Sequence, residues 1–284
     1  MKLIIQPDAG VTPIVNAIKS AKRTLDVVIF RFDRLEVEKA LAQAVDRGVS
    51  VRALIAHTNR GGEKPLKKLA LRLHDAGLTV SRTADDLPRY HGKMMLVDRA
   101  LHVYGFNFTR LDIDKSRSFG VVTQHPRLVR EAQKLFEADF NRRGYSPAHA
   151  RFVVSPENSR TVLTNFIRST RKQLLIYDHQ VSDDLVRRVL VERAKAGVEI
   201  RVIGSVEKPI DGIKVRELTD LRLHVRALVR DGEAAFIGSQ SLRKLELDGR
   251  REVGVVADDN RIARQVASVF EADWRAAGKR AKVN

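Results

Sequence analysis

A chain of 284 residues with 43% hydrophobic and 31% charged side chains can fill one large domain or two of about 140 residues, which excludes disorder as the main state. No apolar run approaches the roughly 18 residues of a membrane span, and the first one stops at Ile5, too short for a secretory signal, so a cytoplasmic protein is expected. The absence of Cys excludes a disulfide scaffold, thiol catalysis and Cys-ligated metal, while a net charge of +17, shared as +10 in residues 1–149 and +7 in 150–284, favours a polyanionic partner, either nucleic acid or an anionic membrane surface.

Thr12-Pro13 reads as a helix N-cap followed by Pro at the first helical position. Leu25 to Phe32 is a short apolar run of buried-strand type, and residues 34–47 carry helical spacing that ends at Gly48, in the C′ place that Gly favours. Val49-Ser50-Val51 then opens another strand. Glu63 to Ala76 is amphipathic and predicts a helix, whose Lys64, Lys67 and Lys68 read as a solvated face. The segment Asn141 to Arg151, with Gly144, Ser146 and Pro147, reads as a joint. Beyond it the order returns: a strand over Gln173 to Tyr177, a helix over 183–196 ending at Gly197, and a strand opening with Val198-Glu199-Ile200.

The return is a sequence repeat. Residues 4–55 align without gaps on 153–204 at an offset of 149, with eleven identities that include Pro7/Pro156, Gly48/Gly197 and Arg52/Arg201. The ends match as well, Phe136-Glu137-Ala138-Asp139-Phe140 against Phe270-Glu271-Ala272-Asp273-Trp274. Between Ile55 and His91 the offset falls from 149 to 133, so the second half lacks 16 residues, and the stretch it lacks is the Glu63 to Ala76 helix. Alternating strands and helices, twice over, predict an α/β protein of two pseudo-twofold-related lobes, 1–145 and 146–284, each a mixed sheet flanked by helices.

At equivalent places stand His91-Gly92-Lys93-Met94-Met95-Leu96-Val97-Asp98 and His224-Val225-Arg226-Ala227-Leu228-Val229-Arg230-Asp231, both of the form H-x-[K/R]-x4-D. Residues i and i+2 of a strand share a face, so each His projects beside its cation. Downstream, the alignment pairs Asn107 with Ser241, and Ser118 with Glu252. Breaking a phosphodiester needs a nucleophile, a proton donor for the leaving oxygen and positive groups around the remaining oxygens. His91 and His224, with Lys93, Arg226, Asn107 and the Ser241 hydroxyl, supply all of these where the halves meet, with no call for a metal or cofactor. H-E-x-x-H, G-x4-G-K-[ST] and G-x-S-x-G are all missing from the chain. Asp98 and Asp231 read as turn closers. The other six His (His57, His74, His102, His125, His149 and His179) have no partner spacing and read as surface or core.

The doubled motif resembles that of the phospholipase D superfamily, H-x-K-x4-D-x6-G-S-x-N, commonly present twice in one chain. The first copy keeps His91, Lys93, Asp98 and Asn107 but is one residue short before Asn107. The second keeps His224, Asp231, Gly238 and Ser239 but has Arg226 for the Lys and Ser241 for the Asn. The resemblance implies two phospholipase D-like lobes and a metal-independent phosphodiesterase or phosphatidyltransferase working through a phosphohistidine, with water or an alcohol as acceptor. It also implies that Glu252 orients the His of the opposite half, which would make His91 the nucleophile and His224 the general acid; for the other His, Asp112 and Asp114 both stand as partners. Cardiolipin-synthase-like transfer on phospholipids, by a single chain touching membranes peripherally through its charge, is the first expectation. A nuclease acting on DNA or RNA is the second, and a degenerate polyanion binder, suggested by Arg226 and Ser241, the third.

Overall fold

A computed structural model describes residues 1–59 and 61–279, Lys279 by its backbone alone. The first repeat forms β1 (Lys2–Gln6), α1 (Thr12–Ser20), β2 (Thr24–Ile29), α2 (Leu35–Asp46), β3 (Ser50–Ile55), α3 (Lys64–Asp75), β4 (Thr79–Arg82), β5 (Met94–Val97), β6 (Ala100–Tyr104), α4 (Arg110–Asp114), β7 (Ser116–Thr123) and α5 (Pro126–Phe140). The second forms β8 (Phe152–Ser155), α6 (Ser159–Arg168), β9 (Gln173–Val181), α7 (Asp184–Lys195), β10 (Glu199–Val206), β11 (Ile213–Glu217), β12 (Arg222–Leu223), β13 (Ala227–Arg230), β14 (Ala234–Gly238), α8 (Lys244–Asp248), β15 (Glu252–Ala257), α9 (Asn260–Ala276) and β16 (Gly278–Lys279).

The two sheets share one topology. Their strand orders are β1-β7-β6-β5-β2-β3-β4 and, read from the equivalent edge, β8-β15-β14-β13-β9-β10-β11-β16. In the first sheet β2, β3 and β4, joined by helices, run parallel, as do β9 and β10 in the second; β11 also runs parallel to β10, although only residues 207–212 link them, and the hairpin-linked strands run antiparallel. Helices α1, α2 and α3 cover the outer face of the first sheet, and α6 and α7 that of the second. The inner faces turn toward each other around a shared core that takes in α5 and α9. Burial by both lobes at once makes their relative placement part of the fold rather than of a linker.

Ion pairs repeat the symmetry across that core. Arg117 of β7 binds Asp273 of α9 (Nε to Oδ2 2.8 Å), and its equivalent Arg251 reaches Asp139 of α5 (3.1 Å). Arg52 packs over Phe136 and Phe140 while bound to Asp26 and Glu137; Arg201 packs over Phe270 and Trp274 while bound to Glu271. Breaking one member of a buried pair costs about 3–5 kcal/mol, so Arg117–Asp273 and Arg251–Asp139, which cross between the repeats, hold the lobes in register, while the Arg52 and Arg201 contacts lie within one repeat each.

The helix over Glu63 to Ala76 is present as α3, bounded by those two residues as caps, and the second lobe has no counterpart to it. Gly48 and Gly197 both take φ +83° after α2 and α7. Asp98 and Asp231 do close turns: each, at φ 50° and 54°, accepts hydrogen bonds from three successive backbone N–H groups, Lys22 to Thr24 and Arg171 to Gln173. Two details differ from expectation. The N-cap of α1 is Val11, without a side-chain bond, and Thr12 and Pro13 lie within the first helical turn; Pro tolerates that turn because its missing N–H has no partner there in any case. The strand begun at Leu25 ends at Ile29, and Phe32 instead bridges to Phe108 near α4. Among the described residues no helix is long and apolar enough to cross a membrane.

Candidate active site

Each motif His is fastened by its backbone to the opposite lobe. The Arg251 N–H donates to the Arg89 carbonyl (2.9 Å) and the His91 N–H to the Arg251 carbonyl (2.7 Å), which brings His91 beside the first residue of β15, Glu252. On the other side, β12 pairs with β7, and the His224 N–H donates to the Arg117 carbonyl (3.2 Å). Gly92 is required at the first of these seams, since a Cβ there would lie 2.8 Å from Val253 Cγ2.

His91 Nδ1 lies 2.8 Å from Glu252 Oε2, and the Phe30 ring meets the imidazole edge-on at 4.5 Å. With Nδ1–H donated to the carboxylate, Nε2 is left as the free base. Lys93 Nζ lies 2.9 and 2.8 Å from the two ring nitrogens. Burial, reinforced by Lys93 and Arg226, holds His91 well below the ordinary imidazole range. Burial likewise pulls the Lys93 ammonium down to about 7, against the attraction of Glu252, and raises the Glu252 carboxyl.

His224 is held more loosely. Its Nδ1 has no hydrogen-bond partner among the described residues and stands 3.7 Å from Asp112 Oδ2. The choice between the two acids is settled by geometry: Asp112 faces His224, whereas Asp114 binds Arg34 at 2.6 Å. Asp112 accepts from the Asn107 backbone (3.0 Å), from Asn107 Nδ2 (2.6 Å) and from Arg222 (2.6 Å), and these bonds with the nearby His224 hold it down to about 2 despite burial. Burial, then the Arg226 charge, keeps His224 well below its ordinary value, with Asp112 opposing.

Both rings open into one cavity of about 380 Å³ whose lining includes Phe30, Asn107, His179, Ser239, Glu246 and the arginines 31, 89, 222, 226, 243 and 250. Glu246 accepts from Arg243 and Arg250, and Asp112 from Arg222. Arg226 differs. Its buried Nε and Nη1 have no hydrogen-bond partner among the described residues, although its charge acts on the Asp178 and Glu252 carboxylates. Two unused donors on a cavity wall suit an anionic oxygen.

Of the seven residues expected at the site, six (His91, Lys93, Asn107, His224, Arg226 and Glu252) are brought together at or against this cavity. Ser241 is fully buried, with its hydroxyl donated to Asp178, and does not line the cavity, where Ser239 stands. This placement follows from Asp178, whose buried carboxylate takes both Ser241 and the Leu242 N–H (2.7 Å). His179, expected at surface or core, stands at the cavity as the repeat equivalent of Phe30. Arg89 and Arg222 are equivalents too, as are Asp112 and Glu246, so the repeat offsets held a signal for all three pairs.

A family model described as "Cardiolipin synthase, PLD-like domain" matches residues 14–140 and 163–274, most of both repeats. The chain belongs to that family. Among relatives of this cardiolipin synthase, PLD-like family member, the mitochondrial cardiolipin hydrolase of Danio rerio is 28% identical over 124 residues, which cover 43% of this chain and 53% of that protein. The match thus spans about half the relative's length. A polyphosphate kinase from Porphyromonas gingivalis superposes with a TM-score of 0.78 at 21% identity, over 96% of this chain and 50% of that one. A phosphatidylserine synthase from Haemophilus influenzae Rd KW20 does so with 0.74 at 10% identity, over 98% and 87%. At those identities the two structures establish a shared two-lobed fold.

Proposed function

We propose that the protein is a metal-independent phosphodiesterase or phosphatidyltransferase acting through a phosphohistidine on His91, with phospholipids as the first substrate class. The observation that carries this reading is the pair of buried imidazoles, one from each repeat, on a single cavity with Arg226, whose Nε and Nη1 make no hydrogen bond among the described residues. His91 Nε2 attacks phosphorus, the bond to the leaving oxygen breaks, and that oxygen takes a proton from His224. The neutral His224 then takes a proton from water or an alcohol, whose oxygen attacks phosphorus as the phosphorus–nitrogen bond breaks. Glu252 fixes the His91 tautomer and steadies the charge that forms on the ring. Arg226 and Lys93 receive the phosphoryl oxygens. An anion bound to Arg226 offsets the charge that holds His224 down, so substrate itself favours the protonated acid. Both repeats contribute to the one cavity, so a single chain suffices.

The arginine-rich lining also supports a nuclease as a second reading. Cleavage of DNA whose binding falls steeply with salt, with no reaction on phospholipid vesicles, would select it. The first test is turnover of a 4-nitrophenyl phosphodiester in excess EDTA. Undiminished release of nitrophenolate is expected. Loss that Mg²⁺, Mn²⁺ or Zn²⁺ restores contradicts the mechanism, and no turnover with tight polyanion binding makes the chain a binder.

A further inference from the structure

The catalytic cavity is built from both repeats, yet one of its walls is not. Arg31 lines it and also lines a second groove, of about 550 Å³, between α3 and the segments that carry Phe32 and Leu111. Phe32, Leu66, Leu69 and Leu111 form the apolar part of its lining; Arg31, Lys68 and Arg72 supply positive charge, Arg72 being paired with Glu38, and Asp33 one carboxylate. Because α3 is the helix that the second repeat lacks, no such groove can form at the pseudo-equivalent place. The residue equivalent to Leu111 is Leu245, at the start of α8, and the two are similarly exposed, 49% and 46%. Leu111 lines the groove beside α3, the helix that has no counterpart near Leu245.

We propose that this groove is a one-sided subsite for an aliphatic chain of the substrate, entered past Arg31 from the reacting phosphate, with Arg31 and Lys68 holding the phosphate-bearing end. The inference rests on the phosphodiesterase reading of the adjoining cavity. A phosphate-linked alkyl chain fits this lining because its apolar part is mainly leucine and its charged part mainly cationic, while its aromatic ring, Phe32, is engaged edge-on with Phe108 and offers little stacking surface to a base. Lys68 therefore contributes to recognition, beyond the solvated face its sequence context suggests. The groove also breaks the near-symmetry of the two His, giving the substrate one orientation in a cavity that would otherwise accept two.

Two esters with the same leaving group isolate the effect: methyl 4-nitrophenyl phosphate and dodecyl 4-nitrophenyl phosphate, the latter below its micelle concentration. The dodecyl ester should show a kcat/KM at least tenfold higher. Leu111→Asp should remove that preference and leave the methyl ester unchanged, Lys68→Glu should weaken it, and Leu245→Asp should leave it intact. Equal losses in Leu111→Asp and Leu245→Asp would overturn the subsite in favour of general surface contact, as would a wild type without chain preference. Calorimetric binding of dodecyl phosphate to the same variants gives the answer without turnover, so failure of the catalytic reading and failure of the subsite remain distinct. Binding of oligothymidylate, but not dodecyl phosphate, that is lost in Lys68→Glu would also overturn it.

Discussion

The two half-sites share a backbone and differ in chemistry. Both His are pinned by a hydrogen bond to a carbonyl of the opposite lobe, and both face a carboxylate that lobe supplies. In the first half-site the carboxylate touches the ring at 2.8 Å and a lysine lies against both nitrogens; in the second the carboxylate stands off at 3.7 Å, tied up by Asn107 and Arg222. A held imidazole with a fixed tautomer suits a nucleophile. A looser one, free to gain and lose a proton, suits an acid and base. A scaffold made twice can thus divide one reaction between unequal partners, because the neighbours that set each ring's proton affinity come from different elements, β15 in one case and α4 in the other.

That division is broken most severely at the carboxylates. Glu252→Gln should lower kcat by roughly 10³–10⁴, as when a tautomer-fixing carboxylate is neutralised, whereas Asp112→Asn should cost only about tenfold. Equal losses would dissolve the distinction between a clasped and a loose His. Lys93→Ala should lower kcat by roughly 10²–10³, the effect of removing one transition-state donor. With the Lys93 ammonium pulled down to about 7 by burial, activity should fall as pH rises through that value and the charge beside the phosphoryl oxygens is lost. Lys93→Arg, charged throughout, should move this alkaline limb upward by more than two pH units even where its rate is lower. An unchanged limb would assign it to another group.

Smaller effects sharpen the second half-site. Arg226→Lys keeps the charge and shortens its reach, so activity within about tenfold of wild type is expected from steady-state kinetics. Ser241→Asn should not help catalysis. It places a larger side chain in the fully buried space beside Asp178, and a loss of about 1–3 kcal/mol in denaturant unfolding is expected with no gain in kcat. A faster Ser241→Asn enzyme would mean that this position reaches the phosphate after all.

Much of this was legible in the chain. The repeat offset located both lobes, and its fall from 149 to 133 marked α3 as an insertion, because a gap in an internal alignment is a statement about one extra element. Lys93 does stand beside His91, as the i and i+2 spacing suggested, but both residues precede β5 rather than sharing a face of it, as His224 and Arg226 precede β13. What stayed hidden was set by tertiary proximity. Asp112 lies on α4 while Glu252 opens β15, so an alignment that pairs Glu252 with Ser118 left Asp112 and Asp114 both open, and only their placement in space separates them. Ser241 lies off the cavity for a related reason: the alignment placed it opposite Asn107, but a buried acceptor on β9, Asp178, takes its hydroxyl. Of the six arginines around the cavity the motif placed Arg226; the other five were present as excess charge and gained positions only when β12, α8 and the loop after β2 came together.

The central claim is that His91 carries the phosphoryl group and His224 moves the protons. With a 4-nitrophenyl leaving group, departure needs little proton donation, so the first step should survive His224→Ala, while the second, which needs a base to deprotonate water, should stall. Mass spectrometry of rapidly quenched reactions reads this directly. The account predicts a phosphoryl adduct on His91 that accumulates in His224→Ala and is missing from His91→Ala; an adduct on His224 in the His91→Ala protein, or no adduct in any variant that still turns over, would contradict it.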